Sequence, residues 1–122
     1  MMILGLRTAI YPSPDLAAAR RWYTEVLGVA PYFDEPFYVG FTVGGFELGL
    51  VPDADPGTSG PQPLWVVAYI EAAHARLLQL GARPLDPIVE VGGGIRVAAV
   101  LDPSGNRLGL IENPNFNLSA VR

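Results

Sequence analysis

The side chains able to do chemistry are few. The chain has no Cys and a single His, His74, which excludes a thiolate nucleophile, a disulfide framework and any cysteine metal site. What remains is a sparse set of charged groups inside a pattern that occurs twice. Gly45-Phe46-Glu47-Leu48-Gly49-Leu50-Val51 and Gly105-Asn106-Arg107-Leu108-Gly109-Leu110-Ile111 lie sixty residues apart. Both stretches read as strands, so their side chains alternate between two faces. Glu47, Gly49 and Val51 share one face of the first, and Arg107, Gly109 and Ile111 share the same face of the second. Leu48, Leu50, Leu108 and Leu110 fill the opposite faces, which must be buried. A slip of one residue would expose all four leucines. The faces carrying Glu47 and Arg107 are therefore the ones left to line a site.

The elements that position these residues also repeat. A strand is expected over residues 4–11, ending at Pro12 and Pro14. A helix follows, with Asp15 as N-cap, Leu16, Ala19, Tyr23, Val26 and Leu27 at helical spacing, and Gly28 as the left-handed residue that stops it. Strands are expected near residues 30–34, 38–43 and 46–51, the last two turning at Gly44-Gly45. Residues 52–63 hold four Pro and read as a short linker. The second half then gives a strand at 64–68, a helix with Ile70, Ala73, Leu77 and Leu80 on one face that stops at Gly81, and strands at 88–91, 95–101 and 107–112. Gly92-Gly93-Gly94 reads as a hairpin turn and not a phosphate loop, because a strand and not a helix follows it. Asp102-Pro103-Ser104-Gly105-Asn106 is the turn before the last strand.

Composition narrows the classes of function. At 122 residues the chain suits one compact domain, with module one at about 1–55, a linker at about 52–63 and module two at about 62–116. Half of it is apolar, enough for a real core. The net charge is −4 with no basic run, so binding nucleic acid by phosphate neutralisation is not expected. No apolar stretch reads as a signal peptide or approaches the ~20 residues of a membrane span, so a cytoplasmic protein without membrane contacts is expected.

Pro14-Asp15-Leu16, Trp22-Tyr23-Thr24-Glu25-Val26-Leu27-Gly28, Ile70-Glu71-Ala72-Ala73 and Asp102-Pro103-Ser104-Gly105-Asn106, in this order, resemble the vicinal oxygen chelate superfamily, which includes glyoxalases, bleomycin-resistance proteins and extradiol dioxygenases. The resemblance covers about residues 4–115. It implies an α+β fold: two tandem βαβββ modules forming a cup-shaped, curled mixed sheet with helices on the convex face. In metal-dependent members, four inward side chains, usually two His and two Glu, hold a divalent ion that takes up two substrate oxygens. Carried over residue by residue, those positions fall at Arg7, Gly49, Gln62 (within a residue or two) and Gly109. A guanidinium has no lone pair to give, Gly has no side chain, and Gln62 offers one neutral oxygen. No metal and no other cofactor is therefore expected, and His74 is read as a surface or packing residue of the second helix.

If Arg7 faces inward as the resemblance implies, Ala9 and Tyr11 do too, and Leu6 and Ile10 join the leucines against the helices. A buried Arg7–Glu47 ion pair is then expected. It has two readings, structural glue or a guanidinium partly free to fork onto an anionic ligand. The paired Gly positions are expected to enlarge the cup. Six of the twelve aromatics fall between Tyr32 and Phe46, and Tyr38 and Phe41 are candidates to clamp a flat ligand. Gln62, Arg96 and Arg107 complete the ligand-binding candidates beside Arg7, Tyr11 and Glu47. The function expected is metal-free binding of a small organic molecule, in a homodimer as short members of the family form. The alternative is a metal-independent lyase, isomerase or dioxygenase-like enzyme using Glu47, with Tyr11 as its partner.

Overall fold

The computed structural model describes residues 2, 7–59 and 62–114. The chain divides into two compact units, one running to Asp55 and the other beginning at Pro56. Each is a four-stranded mixed sheet with one helix. Unit one contains β1 (Thr8–Pro12), α1 (Leu16–Leu27), β2 (Phe33–Glu35), β3 (Tyr38–Val43) and β4 (Phe46–Val51). Unit two contains β5 (Leu64–Val66), α2 (Ile70–Gln79), β6 (Arg83–Gly92), β7 (Ile95–Leu101) and β8 (Arg107–Glu112). The strand orders are β1-β4-β3-β2 and β5-β8-β7-β6. β1 runs parallel to β4 and β5 parallel to β8, and the remaining pairs are antiparallel. This is the βαβββ unit twice, α+β in class.

Local chemistry explains the boundaries. The Asp15 side chain accepts the Ala18 N–H at 3.1 Å, and Gly28 ends α1 in the left-handed region at φ 72°. Gly44 and Gly45, at φ 57° and 88°, form the two-residue turn between β3 and β4, a conformation that favours glycine. α2 has no cap of its own at Tyr69. Instead its first amide, Ile70 N–H, donates to Glu112 Oε2 of β8 at 2.8 Å.

One face of each sheet is covered. Tyr11, Ala19, Tyr23, Val39, Phe41, Leu48 and Leu50 are buried where α1 lies on β3 and β4. Ile70, Leu77, Ala98, Val100, Leu108 and Leu110 are buried in unit two, where α2 lies on β6, β7 and β8. Burying a large apolar side chain contributes roughly 1.5–3 kcal/mol. The four leucines of the repeated pattern therefore outweigh the entropic cost of the Gly between them, about 0.5–1 kcal/mol each.

Two expectations need correcting. The parallel ladder pairs Ala9 with Leu48, Ile10 with Gly49 and Tyr11 with Leu50. Tyr11 therefore faces the helix, its ring edge-on to Tyr23 with centroids 6.2 Å apart, and Ile10 is 57% exposed on the other face. The expected assignment of β1 is off by one residue; Leu6, also assigned there, lies outside the described residues. β6 is also longer than 88–91. It tolerates Pro84 and Pro87 because it is the edge strand and its ladder with β7 shifts register on both sides of Asp86. Among the described residues, no helix is long and apolar enough to cross a membrane.

Candidate functional site

The open face of unit one is organised by Glu47. The Gly44-Gly45 turn delivers it into β4, where the backbone N–H of Glu47 donates to Arg7 O at 2.7 Å. Its carboxylate is buried and has three side-chain donors. Arg7 Nη1 donates to Oε1 at 2.6 Å, Tyr32 Oη–H to Oε1 at 2.9 Å, and Tyr38 Oη–H to Oε2. Arg7 also donates to Thr8 Oγ1 at 3.0 Å, and its side chain is largely exposed, so the pair is not buried as expected: only its Glu47 half is enclosed. The Tyr38 hydrogen bond, followed by those of Tyr32 and Arg7, holds the Glu47 carboxyl below its ordinary value against the opposing effect of burial. Burial and the Glu47 carboxylate push Tyr38 up to about 12. Tyr32 is raised as well, first by its bond to Glu47. At neutral pH the carboxylate stays ionised and both phenols stay protonated. A general base wants a pKa near the working pH. Glu47 lies below that range and the tyrosines above it, so the cluster is suited to holding its geometry and not to moving protons.

The two tyrosines lie over glycines. Gly40 and Gly49 are directly opposed on β3 and β4. A Cβ at Gly49 would come within 2.7 Å of Tyr38 Cζ, and one at Gly40 within 3.0 Å of Tyr32 Cε1. In unit two a Cβ at Gly109 would come within 2.7 Å of Leu64 Cδ2 and 3.0 Å of the Pro63 carbonyl oxygen. The expected enlargement is not seen at the glycines themselves: the space next to each Cα is taken by Tyr38 in one module and by Leu64 and the Pro63 carbonyl in the other. Of the four positions that the resemblance links to a metal, two cannot carry any side chain without repacking, Arg7 is committed to Glu47, and Gln62 alone is one neutral donor. These residues do not fit a divalent ion. The described residues contain no group of three or more His, Asp and Glu placed to hold one elsewhere.

Unit two carries a cleft of about 370 Å³. Leu64, Pro87, Val89 and Val97 form apolar walls, and Gln62, Asp86 and Arg107 contribute polar groups. The turn before β8 sets Arg107 in place. Asp102 Oδ1 accepts the backbone N–H of Ser104 at 3.0 Å and of Asn106 at 2.8 Å, so the Asp-Pro-Ser-Gly-Asn motif is a turn that aims the next residue. Arg107 Nη2 lies 2.6 Å from Asp86 Oδ2. Its Nε is buried and has no hydrogen-bond partner among the described residues.

The candidates thus separate. Arg7, Tyr38 and Glu47 meet in unit one, and Gln62 and Arg107 meet in the unit-two cleft. Three are corrected. Tyr11 packs on Tyr23 beneath the sheet. Phe41 is fully buried beside Leu48 and clamps nothing. Arg96 lies on the helix side, where it pairs with Glu71 of α2 and, at 2.6 Å, with Glu112 of β8. That pairing holds the Glu71 carboxyl below its ordinary value, and Glu112 is lowered by Arg96 first and then by the Ile70 amide. Arg96 therefore fastens the start of α2 to the sheet. Sequence reasoning placed Tyr32 only within the aromatic run, not as a partner of Glu47, and missed Asp86 as a site residue. For Tyr32 the dense aromatic run was the available signal. Asp86 sits between two prolines in a stretch that does not read as a strand.

The family model of the Glyoxalase/Bleomycin resistance protein/Dioxygenase superfamily matches residues 5–110. Similar solved structures include a member of that superfamily from Sphaerobacter thermophilus, 21% identical, with TM-score 0.76 over 93% of this chain and 100% of that one. A lactoylglutathione lyase from Agrobacterium tumefaciens is 20% identical, with TM-score 0.74 over 93% and 98%. Protein ATC0852 of the same organism, solved by solution NMR, is 20% identical, with TM-score 0.78 over 93% and 100%. At these identities the likeness speaks for the fold alone. No curated protein matches the sequence.

Proposed function

This chain belongs to the glyoxalase/bleomycin resistance protein/dioxygenase superfamily, and we propose that it serves there as a metal-independent binder of a small organic molecule, with the cleft of unit two as its site. The observation that carries the proposal is the composition of that cleft: about 370 Å³ walled by apolar side chains, with one guanidinium among them. Small-molecule sites typically have volumes of roughly 300–1,000 Å³, apolar walls and a few placed polar groups. The packing at Gly49 and Gly109 supports the metal-independent part, since two of the four positions a metal site would need are sterically committed. Glu47, the carboxylate an acid–base enzyme would call on, is held ionised by three donors. That favours binding over catalysis. A thermal-shift screen of small acids, amides and aromatics against chelator-treated protein tests it. A ligand at a hundred times its dissociation constant stabilises the fold by about 2.7 kcal/mol. Hits whose strength is unchanged by added divalent metal are expected. No hit, or hits only with metal present, would overturn the proposal.

A further inference from the structure

Resting on that cleft as the binding site, we infer that its ligand is a carboxylic acid, and that Asp86 occupies the carboxylate position until the ligand displaces it. The Nε–H and Nη2–H of a guanidinium point the same way and match the two oxygens of one carboxylate. In Arg107, Asp86 lies against only one of these two nitrogens: its Oδ2 is 2.6 Å from Nη2, and the buried Nε has no partner among the described residues. A buried donor left without a partner is costly, so half of a side-on fork is in place and the other half is unsatisfied. A free carboxylate, unconstrained by a backbone, can reach both.

The two partners differ in freedom. Arg107 sits on β8, which is hydrogen-bonded to β5 on one side and β7 on the other, and its side chain is 21% exposed. Asp86 is 51% exposed on the edge strand, between two register shifts and directly before Pro87. When the pair separates, Asp86 is the member that can swing into water, where a carboxylate is well solvated. The apolar walls next to Arg107 then suit the hydrocarbon part of the acid. The equivalent residue of unit one offers no such opening, since Glu47 already has a donor on each oxygen.

The test uses the full chain after chelation, with two acid–amide probe pairs: 3-phenylpropionate and its amide, and octanoate and its amide. Affinities are measured by calorimetry, and the Arg107 Nε–Hε resonance is followed by NMR. Each acid is expected to bind about tenfold or more tightly than its amide, and to shift the Nε–Hε resonance. Asp86→Asn should strengthen acid binding several-fold, and by clearly more than it changes amide binding. Arg107→Gln should bring the acids down to the amide level. Because Asp86 is half exposed, Asp86→Asn tests the displacement even if Arg107→Gln does not fold. Equal binding of acid and amide, or acid binding weakened by Asp86→Asn, overturns the inference and leaves the binding cleft standing. Failure of all four probes on the wild type and both variants overturns the cleft as well.

Discussion

Position for position, Glu47 in the first module corresponds to Arg107 in the second, yet the two modules treat their charge differently. Around Glu47 the chain supplies three donors, and the result is a closed network capped by two tyrosine rings over opposed glycines. Around Arg107 it supplies one acceptor on an irregular edge strand and leaves a donor unsatisfied beside an apolar cleft. The same position of the repeat is thus a brace in one copy and a candidate anchor in the other. Saturation of hydrogen bonds, and not charge alone, separates the two positions.

The contrast can be broken by mutation, and the largest effect is expected at Glu47. Glu47→Ala removes the acceptor shared by Arg7, Tyr32 and the half-buried Tyr38 hydroxyl and should cost about 3 kcal/mol in urea unfolding. Arg107→Ala should cost about 1 kcal/mol, because its partner is half exposed. Equal costs would erase the distinction. Next comes the packing at the glycines. Gly49→Ala forces the Tyr38 ring away from Glu47 and should cost about 2–3 kcal/mol. Gly109→Ala meets a Leu64 methyl that can rotate, beside a tight carbonyl, and should cost about 1 kcal/mol.

The pH dependence sharpens the same contrast. The Glu47 carboxyl is lowered from 4.5 in the folded protein, so its stabilisation is fully present above 4.5 and is lost as pH falls through the lower folded value. The stability advantage of wild type over Glu47→Gln should therefore shrink on acidification below 4.5, whereas that over Arg107→Gln should show no such acid step attributable to Glu47. The smallest effect is local. Glu112→Gln loosens the cap that β8 lends to α2, so hydrogen exchange at the Ile70 amide should quicken while α1, capped by its own Asp15, is unaffected.

The elements were legible wherever one local rule governed them. Asp15 and Gly28 bound α1, Gly44-Gly45 turn β3 into β4, and the alternating leucines fix the buried faces of β4 and β8. What was not legible depended on partners distant in sequence. Ile10 is as apolar as any core residue, and only its pairing with Gly49 shows that it lies on the open face while Tyr11 goes inward. Gly49 and Gly109 signalled that no Glu side chain is there, but the sequence does not show that Tyr38 and Leu64 occupy the volume. The Arg7–Glu47 pair was anticipated. The two tyrosines that make it a closed network were not, and neither was Asp86 opposite Arg107, because each is a meeting of separate strands.

The most direct test of metal-independent binding in the second module is an NMR titration of the 15N-labelled, chelator-treated chain with a carboxylate hit, repeated with added divalent metal. One dissociation constant is expected under both conditions, with shifts centred on Leu64, Val89, Val97 and Arg107. Binding that appears only with metal, or shifts centred on Glu47 and Tyr38 instead, would contradict it.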